Sequence, residues 1–249
     1  MQTGENLTTP PSGLIASLRK MELVGEDEHP LGEPLAGGVS SDIWRIDLPS
    51  GPICVKRALD QLKVEADWQV PTVRNLYEMR WFERVSAVQP GAVPEILGHD
   101  EAAGAFAMAF LPPEDFHVWK EELRNARVDP EFAAEVGRSL GAIHAATAGN
   151  EAVRKAFQTD DLFHAIRLEP YLEATARVHT DLAAHLIDLV KVTAGNRLAL
   201  VHGDVSPKNI LVGPDGPVFI DAECAWYGDP AFDVAFCINH LLLKCLWVP

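Results

Sequence analysis

Asp204 and Asn209 stand five positions apart in the run Val201-His202-Gly203-Asp204-Val205-Ser206-Pro207-Lys208-Asn209-Ile210-Leu211. A loop of that length between two apolar runs can aim both side chains from one side of a crevice. The carboxylate then accepts a hydrogen bond from an attacking hydroxyl, while the amide oxygen reaches a magnesium ion that bridges phosphates. The chemistry such a pair can do is transfer of a phosphoryl group to an alcohol. An ordinary loop with one capping aspartate would look similar, but a second acid follows. Asp221 ends the apolar run Phe219-Ile220, twelve positions beyond Asn209 and past the turn signal Gly213-Pro214-Asp215-Gly216. Magnesium takes oxygen ligands, commonly one or two carboxylates beside phosphate oxygens, so Asp221 is the expected second ligand. Glu223, two residues on, is either support for a second ion or a solvated neighbour.

A third element lies far upstream. In Ile53-Cys54-Val55-Lys56 strand alternation puts Ile53 and Val55 on one face and Cys54 and Lys56 on the other. A lysine so placed can hold the α- and β-phosphates of ATP and pair with a glutamate on a following helix. Glu78 is the expected partner, because Met79 and Phe82 beside it read as buried; Glu83 is its competitor, and a solvated surface lysine is the plain alternative. The turn Gly37–Ser41 lacks the full G-x-G-x-x-G pattern and is no Walker loop. Its backbone N–H groups and the Ser40 and Ser41 hydroxyls can still cover phosphates. His202 reads as a buried, hydrogen-bonded histidine rather than a base. Lys208 is either solvated or in touch with the transferring phosphate. Asp233 falls in the first turn of a helix opened by Asp229-Pro230, where a carboxylate meets free N–H groups, and is assigned to holding the Asp204 loop.

The elements that must position these residues change character along the chain. Behind a polar leader, Ser12 is expected to cap a short helix carrying Leu14, Ile15 and Leu18. Strands follow around Glu33–Ala36, Ile43–Ile46 and Ile53–Lys56, then a helix over Asn75–Val85 and short strands at Val93–Leu97 and Ala105–Leu111. Pro112-Pro113 breaks the chain, so an amino-terminal lobe over 1–111 and a carboxy-terminal lobe over 112–249 are expected. Beyond it Asp129-Pro130 opens a helix with Phe132, Val136, Leu140 and Ile143 on one face. Helices near Asp161–Ala176 and Asp181–Val192 precede short strands at Leu198–Val201, Ile210–Val212 and Val218–Ile220. The fold class is α+β, a strand-rich front and a mainly helical back, with a ligand expected in a crevice where two such lobes meet.

Composition narrows the partners. The net charge of −15, from 21 basic against 36 acidic residues, argues against a nucleic-acid backbone as partner and is compatible with a cationic acceptor. The four cysteines show neither CxxC nor paired spacing, which reads as reduced thiols in the cytoplasm. The start carries no basic and apolar signal-peptide pattern, and no apolar run is long enough to span a bilayer, so a soluble protein without membrane partners is expected. Oligomeric state is not legible.

Together these residues resemble the aminoglycoside phosphotransferase and choline kinase superfamily, whose fold is protein-kinase-like with two lobes. The resemblance rests on His202-Gly203-Asp204 with Asn209, on Asp221 and Glu223, and on Gly228-Asp229-Pro230 with Asp233, and Ser139-Leu140-Gly141-Ala142-Ile143-His144 is similar to the end of the helix before the family's catalytic loop. It implies Asp204 as the catalytic aspartate, Asn209 and Asp221 as Mg²⁺ ligands, and Lys56 with Glu78 as the ATP-phosphate grip. It also implies that adenine meets backbone near Ala109 and Leu111. The Asp-x-Glu form of the metal element is similar to that of choline kinases and methylthioribose kinases. Gly203 stands where protein kinases carry arginine, and only seven positions separate Asp221 from Gly228, too few for a regulated activation segment. Both features favour a small-molecule alcohol over a protein acceptor. The apolar end Leu246-Trp247-Val248-Pro249 lacks a cap, where family members continue with helices that shape the acceptor pocket, so a shortened carboxy-terminal lobe is expected. Three rivals stay open: a protein kinase, a nucleotide-binding module without turnover, and a metal-dependent hydrolase built on Asp204, Asp221 and His202. The last would need a ligand set such as H-E-x-x-H, which is not present.

Overall fold

Residues 7–35, 41–58 and 74–247 are described by a computed structural model. The expectations placed on Gly37, Gly38 and Ser40 lie outside the described residues. The chain divides into two compact units, one of Met1–Glu83 with Pro94–Pro112 and one of Arg84–Val93 with Pro113–Pro249.

In the first unit, α1 (Ser12–Lys20) opens with Pro11 at the cap position, and no side chain closes that end. Ser12 is therefore the first helical residue and not the cap, because the preset φ of Pro11 already leads the chain into the turn. Then come β1 (Leu31–Pro34), β2 (Ser41–Leu48), β3 (Gly51–Ala58), α2 (Arg74–Val88), β4 (Ile96–Asp100) and β5 (Ala105–Ala109). The five strands form one antiparallel sheet in the order β1-β2-β3-β5-β4. Alternation along β3 sends Ile53 and Val55 into a cluster with Leu14 and Leu18 of α1, Ile46 of β2 and Ala107 of β5. The helical period of α2 buries Met79, Trp81 and Phe82, and the Phe82 ring meets Phe106 of β5 edge-on at 6.3 Å between centroids. A central strand with apolar contacts on one face is a rigid mount for whatever its other face carries.

The second unit is mostly helical. It begins with β6 (His117–Val118) and α3 (Trp119–Arg124), then α4 (Pro130–Thr147) and α5 (Glu151–Ala156). Asp129 caps α4 by accepting from the Glu131 and Phe132 amides, with Pro130 at the first helical position. Phe132, Val136, Leu140 and Ile143 form the buried face that their spacing requires. A helical stretch follows in three parts: α6 (Asp160–Phe163), a π-helical segment His164–Glu173, and α7 (Ala174–Val178). Pro170 sits inside the wide part, where its missing N–H would break an ordinary helical ladder.

After α8 (Ala183–Gly195) come β7 (Ala199–Val201), β8 (Ile210–Gly213), β9 (Gly216–Phe219), β10 (Trp226–Gly228) and α9 (Ala231–Trp247). β7 pairs with β10, and β8 lies between β6 and β9, all antiparallel. The ring of Trp226 on β10 stacks on Phe163 of α6 at 4.2 Å. Among the described residues no helix is long and apolar enough to cross a membrane.

All four cysteines are free thiols, and three are buried. Burial pushes Cys54 and Cys224 up to about 12 and Cys237 up to about 11. Only Cys245, exposed near the end of α9, stays accessible. In the native protein a thiol reagent should react rapidly at one position, Cys245, and with the other three only as the chain unfolds. Two or more fast thiols would contradict the packing of β3, of the Asp221–Ala225 turn or of α9 around Cys237.

Candidate functional site

On β3 of the first unit, Lys56 pairs across the sheet with Ile43 on β2 and Phe106 on β5. Its Nζ lies 2.7 Å from Glu78 Oε2, and the two side chains are only 4% and 1% exposed. The helix supplies this carboxylate because Glu78 shares the inward side of α2 with Met79 and Phe82, whereas Glu83 points outward and is exposed. Desolvating two such charges costs several kcal/mol per ion by general estimate, and well-packed apolar residues would often serve stability as well or better. Stability alone therefore gives a poor account of the pair; a ligand for the ammonium gives a better one.

Two residues expected nearby are differently engaged. Ser41 is buried, with its hydroxyl donating to Asn75 Oδ1 at 3.3 Å, and Asn75 in turn donates to the Gly104 carbonyl. At 1% exposure Ser41 serves the junction of β2 and α2. The Ala109 N–H donates to Glu95 O at 2.8 Å. Leu111, half-buried, lies just past the end of β5.

In the second unit, the loop between β7 and β8 carries His202, Asp204 and Asn209, all buried. Asp233, in the first turn of α9, accepts from the backbone N–H groups of His202 at 2.9 Å and Gly203 at 2.8 Å. The same carboxylate lies 3.0 Å from His144 Nε2 on α4. Gly203 has φ +79, and a Cβ there would come within 2.5 Å of the Cys224 carbonyl. Any side chain, the arginine of protein kinases included, would push the loop off the turn that carries Asp221.

His202 ties the two acidic segments together. Its Nδ1 accepts from the Asp204 N–H at 3.1 Å, so its Nε2–H donates to the Ile220 carbonyl, also at 3.1 Å. The ring is thereby held neutral, and burial lowers its pKa below the ordinary 6.5. This is the buried, hydrogen-bonded histidine expected from the sequence, with no lone pair left to act as a base; that it braces the loop is seen only in the structure. Asn209 donates its amide to the Asp204 carbonyl at 3.1 Å, and among the described residues none donates to its Oδ1. The Ile220 N–H donates to the Asn209 carbonyl at 3.0 Å, which puts Asp221 immediately beyond that contact. Asp221 takes φ +64, an unusual conformation for a residue with a side chain and one that concentrates at functional sites. Both Asp221 and Glu223 are half-buried.

Asp204 Oδ2 meets two cations: Arg167 Nη2 at 2.9 Å and Lys208 Nζ at 3.2 Å. Burial opposes the charge on Lys208, but the carboxylates of Asp204 and Asp221 outweigh it and raise its pKa. Arg167 escaped the sequence reading. It comes from the π-helical segment, and neither its spacing nor its neighbours announce a contact across 37 residues of chain; Pro170 inside a helical run was the one available signal. Carboxylate and amide oxygens form a hard donor set that suits a magnesium ion, and the orientation of Asn209 by its own amide nitrogen fits that use.

A sequence model described as "Phosphotransferase enzyme family" matches residues 32–243. The chain is 25% identical over 226 residues to a methylthioribose kinase of Yersinia pseudotuberculosis, covering 79% of this chain and 54% of the relative. It thus spans about half the length of the curated relatives it matches. Among solved structures, an aminoglycoside phosphotransferase from Alicyclobacillus acidocaldarius superposes with a TM-score of 0.54 at 16% identity, over 98% of this chain and 78% of that one. An amicoumacin kinase in complex with AMP-PNP and Ca²⁺ superposes with a TM-score of 0.54 at 16% identity, over 91% and 68%. At these identities the likeness shows the fold, the α+β kinase-like fold.

Two substitutions test the loop. Asp233→Ala removes an acceptor shared by two buried N–H groups and should cost about 3–5 kcal/mol of unfolding free energy in denaturant titration. A loss below about 1 kcal/mol would show the clamp to be unimportant. His202 has a folded pKa below its unfolded value, so the unfolded chain binds the extra proton and stability falls as pH drops below 6.5. His202→Gln should flatten that part of the stability–pH curve, and an unchanged slope would mean that the ring is not held neutral.

Proposed function

The chain belongs to the phosphotransferase enzyme family, and from that premise we propose that it moves the γ-phosphoryl group of ATP to a hydroxyl of a small molecule. The observation that carries the proposal is the bracing of the Asp204 loop. His202 spans the Asp204 N–H and the Ile220 carbonyl, and Asn209 is turned by its bond to the Asp204 carbonyl. An ordinary loop has no need of such bracing; a reacting group that must meet a hydroxyl within a fraction of an ångström does.

In this proposal Asp204 accepts the hydrogen bond of the acceptor hydroxyl, aligns its oxygen for in-line attack and takes the proton late, as a loose transition state allows. Asn209 Oδ1 and Asp221 would hold Mg²⁺, with Glu223 as the further carboxylate. A bound divalent ion would neutralise charge on the phosphate oxygens. Lys56, oriented by Glu78, grips the α- and β-phosphates, and the Ala109 carbonyl and the backbone at Leu111 are offered to adenine. Ser40 remains a candidate for covering the phosphates. Gly203 and the short interval between Asp221 and Gly228 favour a small acceptor, because neither a phosphate-reading arginine nor a long activation segment is encoded. Sugars, choline-like amines and aminoglycosides are the classes to be tried, since relatives so named share the fold or the family and fold does not choose among them.

ATP with magnesium should raise the melting temperature, since a ligand of the folded state stabilises it. ADP release over a panel of sugars, nucleosides, amino alcohols and aminoglycosides should then identify an acceptor class. Asp204→Asn should lower kcat by about 10²-fold or more while keeping the ATP-induced shift. Binding of ATP without turnover on any acceptor would favour the module without catalysis, and full activity of Asp204→Asn would remove Asp204 from the mechanism.

A further inference from the structure

The carboxylate of Asp204 is gripped unequally by its two cations. Arg167 directs each part of its guanidinium to a different acceptor: Nε to the Gly203 carbonyl at 2.5 Å, Nη1 to the Ile166 carbonyl at 2.7 Å, and Nη2 to Asp204 Oδ2 at 2.9 Å. The Tyr171 ring, one turn along the same segment, and the Phe236 ring of α9 lie 5.9 Å and 5.6 Å from its central carbon. Its side chain is 11% exposed, whereas that of Lys208 is 53% exposed. An exposed lysine pair contributes little and is easily exchanged for water or another anion, whereas a planar arginine with three nitrogens engaged and two rings beside it is the more firmly placed partner. Arg167 therefore holds the carboxylate, and Lys208 is free to leave it.

An unheld aspartate carboxylate turns over a broad range about its last torsion. Here one oxygen is fixed, and among the described residues none donates to the other, Oδ1. Resting on the reading of Asp204 as the group that meets the acceptor hydroxyl, we propose that Arg167 is the positioning residue of that carboxylate, pinning Oδ2 so that Oδ1 is the oxygen presented to the acceptor. The Nε bond to Gly203 matters as much as the ion pair. It registers the guanidinium against the backbone that Asp233 clamps, so carboxylate and loop are aligned by one rigid group. The π-helical segment gives this residue its place, and such segments recur at functional sites.

The test compares Arg167→Ala and Arg167→Lys with the wild type. The alanine variant should lower kcat about 10- to 100-fold, the size expected when a reacting group is displaced by roughly an ångström, with the KM for ATP within about twofold. Guanidinium ion, well below denaturing concentration, should restore part of that loss, and the lysine variant should fall between. Unchanged kcat, or a loss without rescue in both variants, would overturn the proposal. Crystal structures supply an arm independent of turnover: the Asp204 carboxylate should occupy one orientation in the wild type and a rotated or split one in the variants. An identical carboxylate in the variants would overturn the positioning role. Should the wild type phosphorylate no acceptor, the proposed function fails while this crystallographic comparison still decides the role of Arg167; if the alanine variant does not fold, the lysine variant is read against the same outcomes.

Discussion

A single buried carboxylate, that of Asp233, sets the geometry on which the acid-bearing loop depends. Its two oxygens take the N–H groups of His202 and Gly203, consecutive donors at the point where β7 ends and the chain turns. Two buried amides left unpaired would each cost about 1–3 kcal/mol, so the loop has little choice of path once α9 is in place. From that anchor the rest follows by short steps. Gly203 adopts a left-handed conformation against Cys224, His202 turns its ring between Asp204 and Ile220, and Asn209 folds its amide back on the Asp204 carbonyl. Asp204 and the approach to Asp221 are thus positioned by hydrogen bonds among neighbours and not by apolar packing, which tolerates small shifts.

The first unit solves a different problem by different means. Lys56 stands on the central strand of a five-stranded sheet whose opposite face is packed against α1, and Glu78 comes from a helix anchored by aromatic side chains. Burying both charges is a poor way to gain stability, which makes the pair informative about function. A lysine held straight by a buried glutamate remains a charged donor with a fixed direction, suited to a polyanion such as a nucleotide triphosphate.

Legibility from the sequence tracked the range of the interactions involved. Asp204 and Asn209 stand five positions apart between apolar runs, which singled them out, and His202 beside them read as buried and hydrogen-bonded, though not as the brace it forms. Asp233 was legible because a first-turn carboxylate has a generic partner, unpaired backbone N–H, and Glu78 because its apolar neighbours fixed which side of α2 it shares. The misses have equally physical causes. Ser12 lost the cap to Pro11, whose φ is preset, and the bond of Ser41 to Asn75 joins residues 34 positions apart, which no local pattern reveals. Arg167 was invisible because its contact depends on a π-helical register, which hydrophobic periodicity does not register. The taken N–H of Ala109 follows from the pairing around β5, again a property of the sheet and not of the residue.

The most direct measurement of the central claim is the fate of the γ-phosphate in a single turnover with labelled ATP, magnesium and the best acceptor. Label recovered in a phosphate ester of the acceptor, in step with ADP, is the result expected of a carboxylate that orients an alcohol. Label recovered as inorganic phosphate, with the acceptor untouched, would mean that water and not an alcohol is what Asp204 aligns.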